Sequence, residues 1–445
     1  MKERIITPMV GKTTDGLSLT LPMDSWYGAR RFDHLFDVRD FPIPSKWHVE
    51  IFEPDALRGV APLSAEQVLR SLQEPIGSES LAKLAAGRKD AVIIVDDLSR
   101  PTPAFAVLPQ IISELATGGL RDEDIRIIIG LGTHRPLTET EQRRKLGREL
   151  VDRFKVVNHN AFTRQLTRYQ RSDGGPDFAI NRVVGEADLK ISVSGIIPHG
   201  GAGFGGGAKA ILPSVSAYDT IMYNHSTFAW EGYGIVYPER IESACIRRDM
   251  EAAARVVGLD FSVNLVFTPF KELLGVYAGD FVAAHRKGCA VAHRLFLTEV
   301  PTEKLDIVIA GGYPMDTDIG QSHRGTWPEK YGHTSALLAG ARDGWAYHGD
   351  NGKSHAVYRR LKREQRAEHA AYRFRGTASS GERADQTRHY YSCRLEPEVF
   401  HERNNERQFF NDWSALTEAL QSKANASPSV GVFPYASMQL EKTPA

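Results

Sequence analysis

The chain has 445 residues, 42% of them hydrophobic, enough material for two or three domains with separate cores. Lys+Arg and Asp+Glu are equal at 55 each, so no net field draws the protein to nucleic acid or an anionic membrane. The 3 cysteines (Cys245, Cys289, Cys393) are too scattered for a disulfide framework or a cysteine metal site. No apolar run nears the roughly 20 residues of a membrane span, and no signal-peptide core follows Met1, which reads as a cytoplasmic protein.

The first 85 residues scatter Leu19, Leu21, Trp26 and Phe36 among Pro and Asp, and predict only mixed β and loop. Ala91–Val95 is a short apolar run of the kind that forms a buried parallel strand. It is closed by Asp96-Asp97-Leu98-Ser99-Arg100-Pro101-Thr102-Pro103. Carboxylates and an arginine next to a helix N-terminus suit an anion or a ribosyl phosphate, and equally suit plain N-capping with a surface ion pair. Apolar spacing over Pro103–Leu115 predicts a helix, and Ile125–Ile129 the next strand, so 91–131 reads as one βαβ unit. Gly130-Leu131-Gly132-Thr133-His134-Arg135 closes that strand. Ligands in such sheets sit beyond the carboxyl ends of the strands, which makes His134 a candidate rather than an ordinary structural histidine.

Ile191–Val193 is a third strand, and the densest stretch of the chain follows it, Pro198–Pro213. Six glycines (200, 201, 203, 205, 206 and 207) separate His199 from Lys209, so that a base, a bare loop and an amine arrive together. A phosphate-binding P-loop is excluded, because Lys209 lies between Ala208 and Ala210 where that loop requires Gly and Ser or Thr. Ser214–His225 is predicted helical, about 18 Å long. Neutral imidazole is a common transition-metal ligand, but His225 alone cannot make a metal site.

A helix is predicted from Phe281 to Leu297 and a second α/β unit from near residue 300, with strands at Leu305–Ala310 and Ser429–Phe433. Tyr358–Tyr391 is rich in Arg, Lys and Glu and reads as a solvated helix and loop, not a nucleic-acid patch. The expected fold class is α/β, with two domains built on parallel-sheet βαβ cores and an active-site cleft between them. Boundaries are placed at 1–298 and 299–427, with 428–445 a strand and tail that can return to the N-terminal domain.

Together these residues resemble the nickel-pincer lactate racemase family, over most of the chain. The resemblance is carried by Asp96–Pro103 and Gly132–Arg135, by His199 ten residues before Lys209, and by Asn224-His225. Gly311-Gly312-Tyr313-Pro314-Met315-Asp316 followed by Gln321 completes it. It implies a nickel pyridinium-3,5-bisthiocarboxylic acid mononucleotide, tethered through a thioamide at Lys209, with His225 as the protein ligand to nickel. It implies that Asp97, Leu98, Ser99 and Arg100 hold this cofactor in the 1–298 domain and that His134 and His199 are the acid–base pair. Gln321 and the residue at 324 would bind substrate from the 299–427 domain, which would close the site. Partners would be a small 2-hydroxy acid and the cofactor-synthesis proteins, with no nucleic acid or membrane.

The chemistry asks for these residue types independently. The α-proton of a 2-hydroxy acid is poorly acidic beside a carboxylate, whereas loss of hydride gives a flat 2-keto acid that can be reduced on either face. That route needs a hydride acceptor, which a cofactor supplies, and one proton-transfer base per face, which histidine suits because its pKa lies near neutral. One departure from the family pattern stands out. Where the family has lysine, this chain has Arg324, a two-pronged carboxylate binder, with His323 beside it as a further donor. Gly320 replaces an aromatic residue. The substrate is therefore expected to be larger or more polar than lactate. Two rival readings are a cofactor-free sugar-acid dehydratase or lyase using Lys209 as a Schiff base, and a non-enzymatic nickel or nucleotide carrier.

Overall fold

A computed structural model describes residues 9–13, 16–27, 37–171, 174–227, 238–345, 386–401 and 407–442. Two compact units emerge: Val60–Arg294, and the described residues up to Gly59 together with those from Leu295 onward. No described helix is long and apolar enough to cross a membrane.

The Val60–Arg294 unit is built on a six-stranded sheet. Its order is Leu273–Gly279, Phe261–Phe267, Leu189–Gly195, Ala91–Asp96, Ile125–Gly130, Lys155–Asn158. All neighbours run parallel except the antiparallel edge strand Leu273–Gly279. Ala91–Val95, Leu189–Gly195 and Phe261–Phe267 are buried along their length, as β-branched strands covered on both faces must be. Asp96 pairs with Gly130, and Val95 with Val193, so the three central strands end level with one another. The predicted βαβ unit is present, with Leu108–Thr117 as its helix, preceded by a 3-10 turn at Ala104–Ala106.

The helix expected over Ser214–His225 begins later, at Tyr218. Ser216 bridges to Ile180, and the Ala217 N–H donates to the Ala179 carbonyl at 2.8 Å, so the chain is held extended where helix was predicted.

The second unit carries a six-stranded parallel sheet in the order Gln408–Phe410, Thr387–Tyr391, Gly332–Leu338, Leu305–Gly311, Ser429–Phe433, His48–Ile51. A three-stranded antiparallel sheet, Met9–Thr13, Gly16–Met23 and Asp37–Ile43, belongs to the same unit. Leu19, Leu21, Phe41 and Trp47 share one core with Ile307, Ile309, Val430 and Val432. Strand Ser429–Phe433 pairs with Leu305–Gly311 on one side and with His48–Ile51 on the other. One expectation needs correcting: Thr387–Tyr391 is not solvated loop. His389, Tyr390 and Tyr391 are buried in the sheet; the rest of the charged stretch, 358–385, lies outside the described residues.

Two buried imidazoles give the Val60–Arg294 unit a predictable acid sensitivity. His159 Nε2 donates to the Ser216 carbonyl at 3.0 Å, and burial pushes its pKa down to about 4. His285 is held well below its ordinary value by burial and then by the charges of Arg247 and Arg286. Between pH 6.5 and about 4 the unfolded chain therefore binds these protons and the folded chain does not, so stability falls as pH falls. We expect these two rings to cost the unit, in urea unfolding, on the order of 2–3 kcal/mol between pH 7.5 and pH 5.5, with His225, whose pKa is likewise pushed down to about 4, adding to the loss. A flat profile across that window would show that these rings are protonated in the folded state.

Candidate active site

The loops after the three central strands line a solvent-open cavity. Its walls include Asp97, Arg100, His134, His199, Lys209 and His225, six of the ten residues singled out from sequence. Leu98 is buried, and neither it nor Ser99 is among the lining residues.

Asp97 and His134 form a pair. His134 Nδ1 lies 2.7 Å from Asp97 Oδ2, while Ser99 Oγ donates to Asp97 Oδ1 at 2.5 Å. Burial disfavours the Asp97 carboxylate. The His134 charge and hydrogen bond, with Arg100 and Ser99, outweigh it and hold the group well below the usual carboxylate range. An ionised Asp97 can only accept, so Nδ1 is the donor of this pair.

The glycine-rich stretch is a compact fold around other groups. Pro198–His199 pairs antiparallel with Gly203–Phe204, and a 3-10 turn over Gly207–Ala210 presents Lys209. Lys209 Nζ lies 3.3 Å from His199 Nε2, and both side chains are buried. Gly206 has φ +84°, and a Cβ there would stand 2.8 Å from Asn264 Oδ1, an oxygen that accepts the Gly207 N–H at 2.8 Å. The fully buried Arg247 guanidinium donates to the carbonyls of Ala202, Phe204 and Gly206. His285 Nε2 donates to Gly205 O at 2.7 Å. Sequence reasoning missed Arg247 because an arginine beside Arg248 in an amphipathic helix, Cys245–Val257, looks like surface. The glycine-dense run was the available signal, since backbone carbonyls in a loop with few polar side chains need donors from elsewhere.

His225 lies on helix Tyr218–Thr227 and bonds the Ile221 carbonyl through Nδ1 at 3.0 Å, which leaves Nε2 as the lone-pair nitrogen. Burial, then the Lys209 charge, push its pKa down to about 4, so the ring is neutral and suited to a metal. Among the described residues no group of three or more His, Cys, Asp or Glu could hold an ion unaided. An imidazole that could ligate a metal, an amine that could be modified and a glycine-rich loop meet at this cavity, a set that would suit a group bringing its own metal donors.

Gln321 and Arg324 lie in the other unit. Asp318 caps the turn Ile319–Ser322, and Arg324 Nε donates to Gln321 Oε1 at 2.8 Å, so the two side chains act together. His323, the further donor expected beside Arg324, offers the single N–H of a neutral imidazole. Its ring packs beside Trp345 and Tyr390 at 6.0 and 5.9 Å, and burial pushes its pKa down to about 3.

Residues 36–233, which contain all three loops, match the sequence model described as lactate racemase N-terminal domain. A lactate racemase from Lactiplantibacillus plantarum is 38% identical over 301 residues, 65% of this chain and 68% of that protein. The chain belongs to the lactate racemase family. Membership makes it an isomerase of the racemase type. A lactate racemase from Thermoanaerobacterium thermosaccharolyticum is 35% identical over 59% of this chain and 62% of its own length. In three dimensions, the fold is shared with the lactate racemase apoprotein from T. thermosaccharolyticum, at a TM-score of 0.68 and 24% identity, covering 95% of this chain and 100% of that one. A Thermotoga maritima protein shares the fold at a TM-score of 0.57 and 16% identity, over 86% and 99% of the two chains.

Proposed function

We propose that the chain racemises or epimerises a 2-hydroxy acid by reversible hydride transfer, with His134 and His199 as the proton-transfer pair. The observation that carries this reading is one cavity holding two imidazoles, a buried amine and a third imidazole with a lone-pair Nε2. A nickel-pincer nucleotide, when bound, would supply the hydride acceptor that the chain's own side chains lack. Lys209 would hold it covalently, His225 would ligate its nickel, and the loop Asp97–Arg100 would hold its nucleotide part.

The protein's own part is proton handling and orientation. His134 Nε2 takes the substrate hydroxyl proton, and ionised Asp97 stabilises the resulting imidazolium through Nδ1. His199 does the same for the opposite enantiomer and returns its proton when the keto group is reduced again. The Gln321–Arg324 pair binds the substrate carboxylate, with the planar guanidinium fixing its orientation.

Substrate size follows from the same region. A Cβ at Gly320 would stand 3.2 Å from Asp318 Oδ1, a tight contact, and the glycine keeps side-chain bulk away from the position before Gln321. We expect a dicarboxylic or polyhydroxylated 2-hydroxy acid to be turned over with a higher kcat/KM than lactate. A panel assayed by chiral chromatography on protein co-produced with the cofactor-synthesis proteins decides this, and lactate as the fastest substrate would refute it.

The contact between Lys209 Nζ and His199 Nε2 also favours a second reading, a lyase with Lys209 as a Schiff-base amine beside a base. Borohydride trapping of a substrate carbon skeleton on Lys209 would establish that reading and displace the first.

A further inference from the structure

Helix Glu139–Leu146 follows the His134 turn, and its charges, Glu139 and Glu141 and then Arg143, Arg144 and Lys145, give it the look of a solvated surface helix. Two of its charges are buried instead. Lys145 is fully buried, with Nζ 3.0 Å from the carbonyl oxygens of both Asp97 and Arg100 and 2.7 Å from Asp96 Oδ1. Glu141 lies one turn earlier on the same face. It accepts from the two terminal nitrogens of Arg135, at 2.9 and 2.7 Å, and from the Thr138 N–H at 2.8 Å. Arg135 directly follows His134.

One helix face thus grips both halves of the Asp97–His134 pair, which arise on different strands. Burying an ammonium group is costly unless its protons find acceptors. Burial lowers the Lys145 pKa and the Asp96 charge opposes this. Two of these partners are backbone carbonyls of the loop that follows strand Ala91–Asp96, and the third is an ion pair with the carboxylate that ends the strand, so the lysine fixes the loop's path as well as its charge. Helix docking alone would be served as well by an apolar side chain.

We propose that Lys145, and Glu141 acting through Arg135, are positioning residues that set the Asp97–His134 hydrogen bond and so the direction in which His134 Nε2 meets the cavity. The consequence for turnover rests on His134 being an acid–base group. The positioning itself does not.

The test is the downfield proton resonance of His134 Nδ1–H in 15N-histidine-labelled apoprotein, assigned by its absence from His134→Gln. Lys145→Met, Lys145→Ala and Glu141→Gln are expected to keep the native circular dichroism spectrum and to lose or broaden this resonance. In Lys145→Ala, ethylammonium chloride should restore it, and sodium chloride should not. In the cofactor-loaded protein, kcat of Lys145→Met should fall by up to about a hundredfold with little change in KM. An unchanged resonance in both lysine variants overturns the proposal, and an unchanged resonance in Glu141→Gln removes Glu141 from it. Failure of both lysine variants to fold even with ethylammonium would make Lys145 a residue of general stability, and would overturn it too. A loaded His134→Ala enzyme that still turns over would defeat the proposed function while leaving the positioning role standing.

Discussion

His134→Ala and His199→Ala are each expected to retain the tethered cofactor and to lose about 10²- to 10⁴-fold in kcat. Racemisation must pass through both faces of the substrate, so either variant should slow both directions and not only one. The double variant should fall little below the worse single one, because residues that act in one cycle are not additive. Both changes leave the sheet intact: His134 sits on a strand-end turn, and His199 in a two-residue antiparallel pair. Thermal unfolding of His199→Ala should therefore stay near that of the parent, whereas His134→Ala removes the imidazole that offsets burial of the Asp97 carboxylate and should unfold at a lower temperature. Peptide mass and initial rates in both directions check the expectation, and turnover surviving in both variants would take the two histidines out of the mechanism.

Lys209→Ala should have an effect of a different kind. No nucleotide-sized mass should remain on the peptide containing residue 209, nickel should fall to trace, and turnover should drop to the level of the reaction without enzyme. His225→Ala provides the contrast, since it should keep the covalent adduct and lose nickel. The distinction follows from the two groups' chemistry: a lysine amine can form a covalent link, whereas a neutral imidazole with its Nε2 lone pair can only ligate. Full adduct on Lys209→Ala protein would place the tether on another residue.

Much of the Val60–Arg294 unit was legible because its evidence is local. Ala91–Val95, Ile125–Ile129 and Ile191–Val193 are apolar β-branched runs, and each is followed by polar or glycine-rich residues where a parallel sheet puts its ligands. Strand His48–Ile51 was not legible. It is four residues long with alternating exposure, and the strand it pairs with, Ser429–Phe433, lies at the other end of the chain. Thr387–Tyr391 was hidden by the charge around it, although Tyr390 and Tyr391 are strong strand formers.

At the site, the residues whose side chains face the cavity stood out by type and spacing. Those that hold them from behind did not. Lys145 and Arg247 are charged residues in amphipathic helices, and such residues are almost always solvated. Only the carbonyls that converge on them reveal otherwise.

The central claim is tested most directly with a single enantiomer of a 2-hydroxy acid deuterated at C2, given to the cofactor-loaded protein in ordinary water. The opposite enantiomer should appear with its C2 deuterium retained, because the hydride leaves and returns without exchanging with solvent. Loss of the deuterium would mean that a proton is removed from carbon, and no opposite enantiomer from any acid of the panel would mean that the chain is not a 2-hydroxyacid racemase.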